Sequence, residues 1–273
     1  MIFDDTKCQL GEGPLWHPER KQLFWFDILN HRLHTKGQHW QFYTYVSAAG
    51  WVDTDTLLVA SARSLSTFNL TTGATEELTP LEADNPVTRS NDGRADPQGG
   101  FWIGTMGINA EPGAGSIWRF YKGELRKLFG DITVSNAISF HPDGTTACYA
   151  DTDTQKIMRV ALDADGWPKG AAEVIVDLTG TNLRPDGAVF DAAGNLFSAQ
   201  WGASRVAVYD PDGAFVESYP IPGAQSSCPA FGGDDLATLY CTTAAVGLDG
   251  PHDGMTYAVD TTYTGQAEHR VIL

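Results

Sequence analysis

The stretch VTRSNDGRADPQGGFWIGTMG, residues 87–107, holds the residues most able to do chemistry. Arg89, Asn91 and Asp92 stand within four positions, directly before a glycine and a strand-like apolar run. An ordinary turn needs only one Asn or Asp. Amide and carboxylate oxygens ligate divalent cations, and a guanidinium binds carboxylated or polyhydroxylated molecules. The cluster therefore predicts a binding site where a strand begins.

The segments around this cluster have the character of short strands. The chain holds 29 Gly and 14 Pro, and apolar runs such as LFWFDI, TLLVASA and GFWIGTM alternate with turn signals, as in all-β proteins. Similar strand–turn–strand units start at residues 16, 51, 94, 140, 190 and 231. A repeat of about 40–45 residues with several strands indicates a propeller blade. The sequence predicts an all-β, six-bladed β-propeller, with one domain over residues 1–273. We expect MIFDD and EHRVIL at the two chain ends to pair and close the ring.

One phase of this repeat carries a polar residue in four of the six blades. Each precedes the core of the first strand of its blade: Glu12 in GEGPLW, Asn91 in RSNDGRA, Asn136 in VSNAISF and Asp186 in RPDGAVF. The innermost strands of a propeller line its channel, so these side chains should converge on the axis. Two carboxylates and two amides suit a divalent cation that keeps water or substrate in its remaining positions. Without a cation, two carboxylates on the axis would be costly.

Taken singly, these residues also fit ordinary turns. Glu12 lies between two glycines and could be a solvated turn residue, and Asn or Asp before glycine forms turns first. Their shared phase favours a site. The equivalent stretch of blade two, SAAGWV, offers no strong ligand, and blade six offers Cys228.

The histidines and cysteines favour structural roles. His17 and His141 occupy the turn slot that Asp96 and Asp191 fill in other blades, which indicates a turn position. The four cysteines are scattered and include no C-x-x-C pair, so we expect buried free thiols in a reducing cytosol. They are Cys8, Cys148, Cys228 and Cys241.

Composition excludes several classes of partner. The net charge is −16, which disfavours nucleic acid and anionic membranes because both need basic patches. The first residues lack the features of a signal peptide, and no apolar run approaches the ~18 residues of a membrane span. We expect a cytoplasmic monomer or weak oligomer.

Four motifs, in this order along the chain, resemble the gluconolactonase family that includes senescence marker protein (regucalcin). They are GEGPLWHPERKQLFWFDI, RSNDGRADPQGGFWIGTMG, SNAISFHPDG and RPDGAVFDAAGNLF. The resemblance runs from Glu12 to the FGG at 231–233. It implies a six-bladed propeller that hydrolyses sugar lactones with one divalent metal in the channel.

The resemblance also implies roles for single residues. Glu12, Asn136 and Asp186 match the family's metal ligands, with Asp186 also the general base. Arg89 and Asn91 match positions that contact substrate, and the Asn also lies close to the metal.

Two departures from the family pattern stand out. Ala137 follows the blade-four Asn where the family usually has glycine, and the loop at 107–115 aligns poorly. Glu111 in that loop either contacts substrate hydroxyls, as a family acid does, or is an exposed loop charge. Trp51, Trp102 and Trp201 either wall the pocket or belong to the core between blades.

Lactone hydrolysis needs a polarised carbonyl, an activated water and a stabilised oxyanion. A divalent cation supplies the first and third, and a carboxylate beside it can take the proton of the water. Calcium, magnesium, manganese, zinc and ferrous iron all accept oxygen ligands. The expected substrate is a small sugar lactone, either an aldonolactone or an aldarolactone.

Two other functions remain open at this point. One is a non-catalytic, calcium-binding regulatory propeller, and the other is a hydrolase of other esters such as phosphotriesters. The pairing of Arg89 with Asn91 favours the lactonase, since a structural ion needs no guanidinium at its open side. The chain contains no G-x-S-x-G and no H-E-x-x-H motif, so serine-hydrolase and zincin designs find no support.

Overall fold

The computed structural model describes residues 1–273 and consists of twenty-four strands and one short 3-10 turn. The strands form six separate four-stranded antiparallel sheets. The first strand of each sheet packs beside the first strands of the neighbouring sheets, so these six inner strands surround a central channel. The predicted all-β, six-bladed propeller is confirmed. None of its helical segments has the length and apolar character that a membrane span requires.

The strands are numbered in chain order, and each blade runs from its inner to its outer strand. Blade one contains β2 (Gly11–His17), β3 (Gln22–Asp27), β4 (Arg32–Thr35) and β5 (Gln38–Gln41). Blade two contains β6 (Val46–Asp53), β7 (Thr56–Ser61), β8 (Ser64–Asn69) and β9 (Thr75–Pro80). Blade three contains β10 (Thr88–Ala95), β11 (Phe101–Gly107), β12 (Gly115–Tyr121) and β13 (Glu124–Ile132).

The other three blades follow the same plan. Blade four contains β14 (Ser135–Phe140), β15 (Thr146–Asp151), β16 (Lys156–Leu162) and β17 (Pro168–Asp177), with the 3-10 turn Thr152–Thr154 after β15. Blade five contains β18 (Pro185–Phe190), β19 (Leu196–Gln200), β20 (Arg205–Tyr209) and β21 (Phe215–Pro220). Blade six contains β22 (Gln225–Gly232), β23 (Thr238–Ala244), β24 (Thr256–Asp260) and β1 (Ile2–Asp4).

The apolar runs form the second strands because both faces of these strands are covered by neighbouring blades. In β7, for example, Leu57, Leu58 and Ala60 are fully buried. Trp102 is also fully buried, with its ring 5.4 Å from that of Phe140 in the next blade. Trp102 therefore belongs to the core between blades and not to a pocket wall.

The ring closes differently from the expectation. β1 pairs with β24, in the register Ile2↔Tyr257, and so completes blade six. The EHRVIL segment forms no strand, and the predicted pairing between the two chain ends is wrong. With β1 in place, β24 has a partner on each side and offers no free edge to EHRVIL.

The last ten residues, 264–273, instead cross the end of the channel; we call this segment the strap. The Val271 N–H donates to the Trp51 carbonyl at 2.9 Å, and the Ile272 N–H donates to the Gly99 carbonyl at 2.7 Å. The Glu268 carboxylate pairs with Arg94, which is buried near the end of β10. Inner strands begin with the predicted site residues and end near the strap, so the strap covers the opposite end of the channel.

The turn slot after the inner strands has the same role in four blades. In each, the side chain accepts a backbone N–H of its own turn: His17, Asp96, His141 and Asp191. The structural role predicted for the two histidines is confirmed. His17 is fully buried, and its Nε2 lies 3.1 Å from the Asp53 carbonyl. Since Nδ1 accepts and Nε2 donates, the ring is neutral.

This neutral histidine predicts a loss of stability in acid. Burial lowers the pKa of His17 below its ordinary value of 6.5. Below about pH 6.5 the unfolded chain therefore binds more protons than the fold, and the free energy of unfolding falls as pH falls. His17→Asn should be less stable at pH 7 but less sensitive to acid, by on the order of 1 kcal/mol between pH 7 and pH 5.

Urea unfolding of both proteins at several pH values measures this difference. His252→Asn is the control, because His252 is exposed. Parallel pH profiles for the wild type and His17→Asn would contradict the assignment of a neutral ring.

Candidate active site

A cavity of about 500 Å³ opens at the end of the channel away from the strap. Five of the six predicted site residues line it: Glu12, Arg89, Asn91, Asn136 and Asp186. Each stands on an inner strand of its blade, and each is at most 6% exposed. The structure thus brings four blades together around one cavity.

A β-bulge aims these side chains at the axis. The register of the inner strand breaks just after the site position, between Glu12 and Leu15 in blade one and between Asn136 and Ser139 in blade four. Blades three and five break at the equivalent place. A bulge kinks a strand and redirects a side chain. In the sequence, this bulge corresponds to the recurring pattern of an amide or carboxylate residue followed by a small residue.

The residue that follows the site position is small for different reasons in different blades. Gly13 and Ala137 both adopt φ +54°, a left-handed conformation that favours glycine. Gly187 has an ordinary φ, but a Cβ there would lie 2.3 Å from Cys228 Sγ. Gly187 is therefore required for the close approach of two inner strands.

The Arg89 guanidinium and two amides form a hydrogen-bonded chain across the cavity floor. Arg89 Nη1 donates to the Ser90 carbonyl and to Asn91 Oδ1, both at 2.8 Å. Asn91 Nδ2 donates to the Ser135 carbonyl at 2.9 Å and to Asn136 Oδ1 at 3.2 Å. Arg89 thus orients Asn91, while its Nε and Nη2 have no protein partner.

Thr152 orients the second amide and was missed by the sequence reasoning. Asn136 Nδ2 donates to Thr152 Oγ1 at 2.8 Å, and Thr152 Oγ1 donates to the Pro185 carbonyl at 2.7 Å. Because Nδ2 is held by Thr152, Oδ1 is the atom of the Asn136 amide that is directed to the cavity side. In sequence, Thr152 stands in a polar DTDT stretch that looks like any turn, so no signal marked it.

The carboxylates on the axis have raised pKa values. Burial, and then the charge of Asp92, raises the pKa of Glu12 to about 8. Burial, and then Glu12, raises the pKa of Asp186 well above its usual range. Burial also raises the pKa of Asp92 to about 6, although its Oδ2 accepts the Ile138 N–H at 2.7 Å. Neither Glu12 nor Asp186 is hydrogen-bonded to a cationic side chain. The donor set is all oxygen, buried and short of positive charge, and it fits a hard divalent cation.

Burial also affects the guanidinium beside these carboxylates. It lowers the pKa of Arg89 to about 10, so Arg89 remains charged at neutral pH. The floor of the cavity therefore holds a fixed positive charge beside the carboxylates.

The sixth predicted residue, Glu111, lies outside the lining of this cavity. Its carboxylate accepts the Asn109 N–H at 3.0 Å and the Asn109 side-chain amide at 2.9 Å. Its neighbour Ala110 does line the cavity. A substrate contact by Glu111 stays a prediction.

Sequence reasoning also missed a second arginine at the cavity and left one aromatic wall open. Arg184 and Trp201 both line the cavity. Trp51 lies at the other end of the channel, where its Nε1 donates to the Glu268 carbonyl of the strap at 2.8 Å. Arg184 stands directly before β18, two residues from Asp186, and this closeness to a predicted site residue could have identified it.

A second group of potential ligands lies away from the cavity, in blade one. Ligand atoms of Cys8, Asp27 and His34 all lie within 4.8 Å of one another. Asp27 accepts the backbone N–H groups of residues 9 and 10, as Asp151 does for residues 133 and 134 in blade four. Burial raises the pKa of the Cys8 thiol, which disfavours the thiolate that a metal needs. This group therefore has a structural explanation. All four cysteines are buried and free, as predicted.

Because Ala137 has a left-handed conformation, we expect Ala137→Gly to destabilise the fold less than a glycine substitution at another buried alanine. Ala137→Gly loses a methyl group and gains flexibility in the unfolded chain, but it relieves a strain of about 1–2 kcal/mol. Ala150 on β15 is a matched control, because it is equally buried in the same core and pairs with Asn136. Ala150→Gly should therefore cost about 1–2 kcal/mol more than Ala137→Gly in chemical unfolding. Equal losses for the two variants would refute the strain at Ala137.

Comparisons with known proteins indicate the family of this chain. Residues 10–245 match the model of the SMP-30/Gluconolactonase/LRE-like region. A Rhizobium meliloti protein whose name describes a sugar lactone lactonase is 38% identical, over 97% of this chain and 95% of its own length. The 6-deoxy-6-sulfogluconolactonase of Pseudomonas putida is 32% identical, over 95% and 94%.

A solved structure agrees as well. The calcium-binding protein regucalcin of Agrobacterium tumefaciens superimposes with a TM-score of 0.97 at 40% identity, over 100% of this chain and 97% of that one. The chain therefore belongs to the SMP-30/gluconolactonase/LRE-like family.

Proposed function

We propose that this chain is an enzyme that hydrolyses the lactone of a sugar acid to the open-chain acid, with one divalent cation held by Glu12, Asn136 and Asp186. The observation that carries the proposal is the convergence of these oxygen donors and Arg89 on one cavity of about 500 Å³. The names of the relatives, which describe lactonases, support the reaction class. Four buried thiols without a disulfide support the cytoplasm as its compartment.

Each residue has a distinct task in this reaction. Glu12, Asn136 and Asp186 would hold the divalent cation, which would supply a Lewis acid for the lactone carbonyl and for the developing oxyanion. Asp186 takes a proton from the attacking water, as a carboxylate beside the cation can. Glu12 and Asn136 remain ligands. Arg89 directs its free N–H groups towards the hydroxyl groups or ring oxygen of the lactone, while Asn91 holds Arg89 and Asn136 in register.

The size of the cavity favours an enzyme over a non-catalytic calcium-binding propeller. The related regucalcin structure is described as calcium-binding, and a structural ion would need only the ligands and a few waters. The cavity is within the range of ligand pockets, and eight of its fifteen lining residues are hydrophobic. A walled cavity beside the ligands indicates that a small molecule binds there.

Removal of the metal and two matched variants test the proposal. Chelation should abolish hydrolysis of sugar lactones, and added metal should restore it. Glu12→Gln should weaken metal binding and recover with excess metal. Asp186→Asn should keep one ligating oxygen but lose roughly 10²–10⁴-fold in kcat at saturating metal, because the amide cannot accept a proton.

The rate of acid release at saturating metal separates the two variants. Equal rescue of Asp186→Asn and Glu12→Gln would show that Asp186 is a ligand only. Full activity of a demonstrably metal-free sample would exclude the metal altogether.

We expect substitution of Thr152 to weaken metal binding, although Thr152 is not a proposed metal ligand. Thr152→Val keeps the shape but leaves Asn136 Nδ2 and the Pro185 carbonyl unpaired. Metal affinity should fall roughly 10–100-fold, as for other groups that orient ligands, while kcat at saturating metal changes little. Thr154→Val is the control, because Thr154 Oγ1 lies in the same turn but bonds only the Asp151 carbonyl. Calorimetric titration of metal into both variants measures the effect. Similar affinities would show that Thr152 is a purely structural residue.

A further inference from the structure

We propose that Arg184 determines substrate specificity by binding a second, anionic group of the lactone, at the end remote from the lactone carbonyl. The inference rests on the proposed function and narrows its substrate class. The preferred substrate is then a lactone that carries a carboxylate, phosphate or sulfonate on its far carbon, and not a neutral aldonolactone.

The first support is the position of Arg184 relative to Asp186. Both residues line the cavity, and they stand two positions apart along one extended segment. In an extended chain the Cα atoms of residues at this spacing lie about 6.5 Å apart. Asp186 lies at the metal end of the cavity, so Arg184 lies one step towards solvent. A lactone with its carbonyl at the metal would extend its carbon chain towards this guanidinium.

The second support is that the backbone of Arg184 is fixed while its side chain is free. The Arg184 carbonyl accepts the Trp201 N–H at 3.0 Å, which anchors it to the neighbouring strand. The Arg184 side chain is 51% exposed, and its sole ion-pair partner is Asp153, at 3.8 Å and itself 65% exposed. At that distance the contact is no hydrogen bond. Arg184 therefore offers its donors to a ligand, whereas Arg89 uses Nη1 inside the protein.

The third support is the charge and polarity of the cavity. Among the residues that line the cavity, Glu12 and Asp186 are offset by the proposed divalent cation, so the two arginines give this lining a net positive charge in a chain of net charge −16. A local positive field of this kind selects an anion. The other lining residues comprise eight hydrophobic side chains, two amides and Thr152. Both amides and Thr152 are engaged in the chain of hydrogen bonds described above, so few donors remain for the hydroxyls of a neutral sugar.

Two lactones that differ only at the far carbon test the inference. Glucono-1,4-lactone ends in a neutral CH₂OH, and glucaro-1,4-lactone ends in a carboxylate. The wild type should hydrolyse the carboxylate form with a kcat/KM about 10-fold or more above that of the neutral form. 6-Phosphogluconolactone forms a separate arm that distinguishes a phosphate from a carboxylate.

Arg184→Gln should lower kcat/KM for the anionic lactones by about 10–100-fold, mainly through KM, because a charge-assisted hydrogen bond is lost. It should change kcat/KM for the neutral lactone by less than about 3-fold. Arg184→Lys should retain part of the preference, since it keeps the charge but not the planar fork. Arg126→Gln is the control, because Arg126 lies on an outer strand and pairs with Glu124.

Product binding separates failure of this inference from failure of the proposed function. Glucarate and gluconate are titrated calorimetrically into the metal-loaded wild type and Arg184→Gln. Hydrolysis of both lactones with equal losses in Arg184→Gln overturns the role of Arg184 and leaves the lactonase intact. Arg184-dependent binding of glucarate without hydrolysis of any lactone upholds the anion site and overturns the lactonase. Neither binding nor hydrolysis overturns both.

Discussion

Carboxylates buried on the channel axis, with no cationic side chain to pair with them, constrain the rest of this structure. Burial raises the pKa values of both Glu12 and Asp186, with a further rise from Asp92 for Glu12 and from Glu12 for Asp186, so their charged forms call for a cation from outside the chain. The neighbouring side chains do not neutralise these carboxylates. Arg89 turns Nη1 towards Ser90 and Asn91 and not towards the carboxylates. Cys228 on blade six is held protonated by burial and by the nearby acids, and blade two contributes only buried Ser47, bonded to Ser90.

The propeller meets this constraint by repeating one local device and varying one residue within it. Every inner strand breaks its register near the channel mouth, so six bulges aim six side chains at one axis. Four of these positions hold the amide or carboxylate residues of the site, and the two in blades two and six, on either side of Glu12, hold neither, which leaves gaps beside Glu12. Such a site can hold an ion and still admit a substrate. Rigidity comes from the packed blades, whereas the chemistry depends on a few positions within them.

Periodicity explains what could be predicted from the sequence. The blades, their strand order and the phase of Glu12, Asn91, Asn136 and Asp186 all follow from a repeat that is visible in one chain. Structural features outside the repeat could not be predicted from the sequence. The apolar VIL of the strap resembles a strand, and only the tertiary fold shows that β1 already occupies the blade edge. Thr152 owes its importance to a hydrogen bond across blades, which neither composition nor spacing records.

The pairing of β1 with β24 fixes the order in which the molecule can be completed during synthesis. Ile2 is synthesised about 250 residues before its partner Tyr257, which at cellular rates of elongation is roughly 10–50 s. An arc of early blades without the last one has two uncovered blade faces, one at each end. Such a face is apolar and prone to association. The ring therefore cannot close before β24 has been synthesised, and only the last blade covers both of these faces.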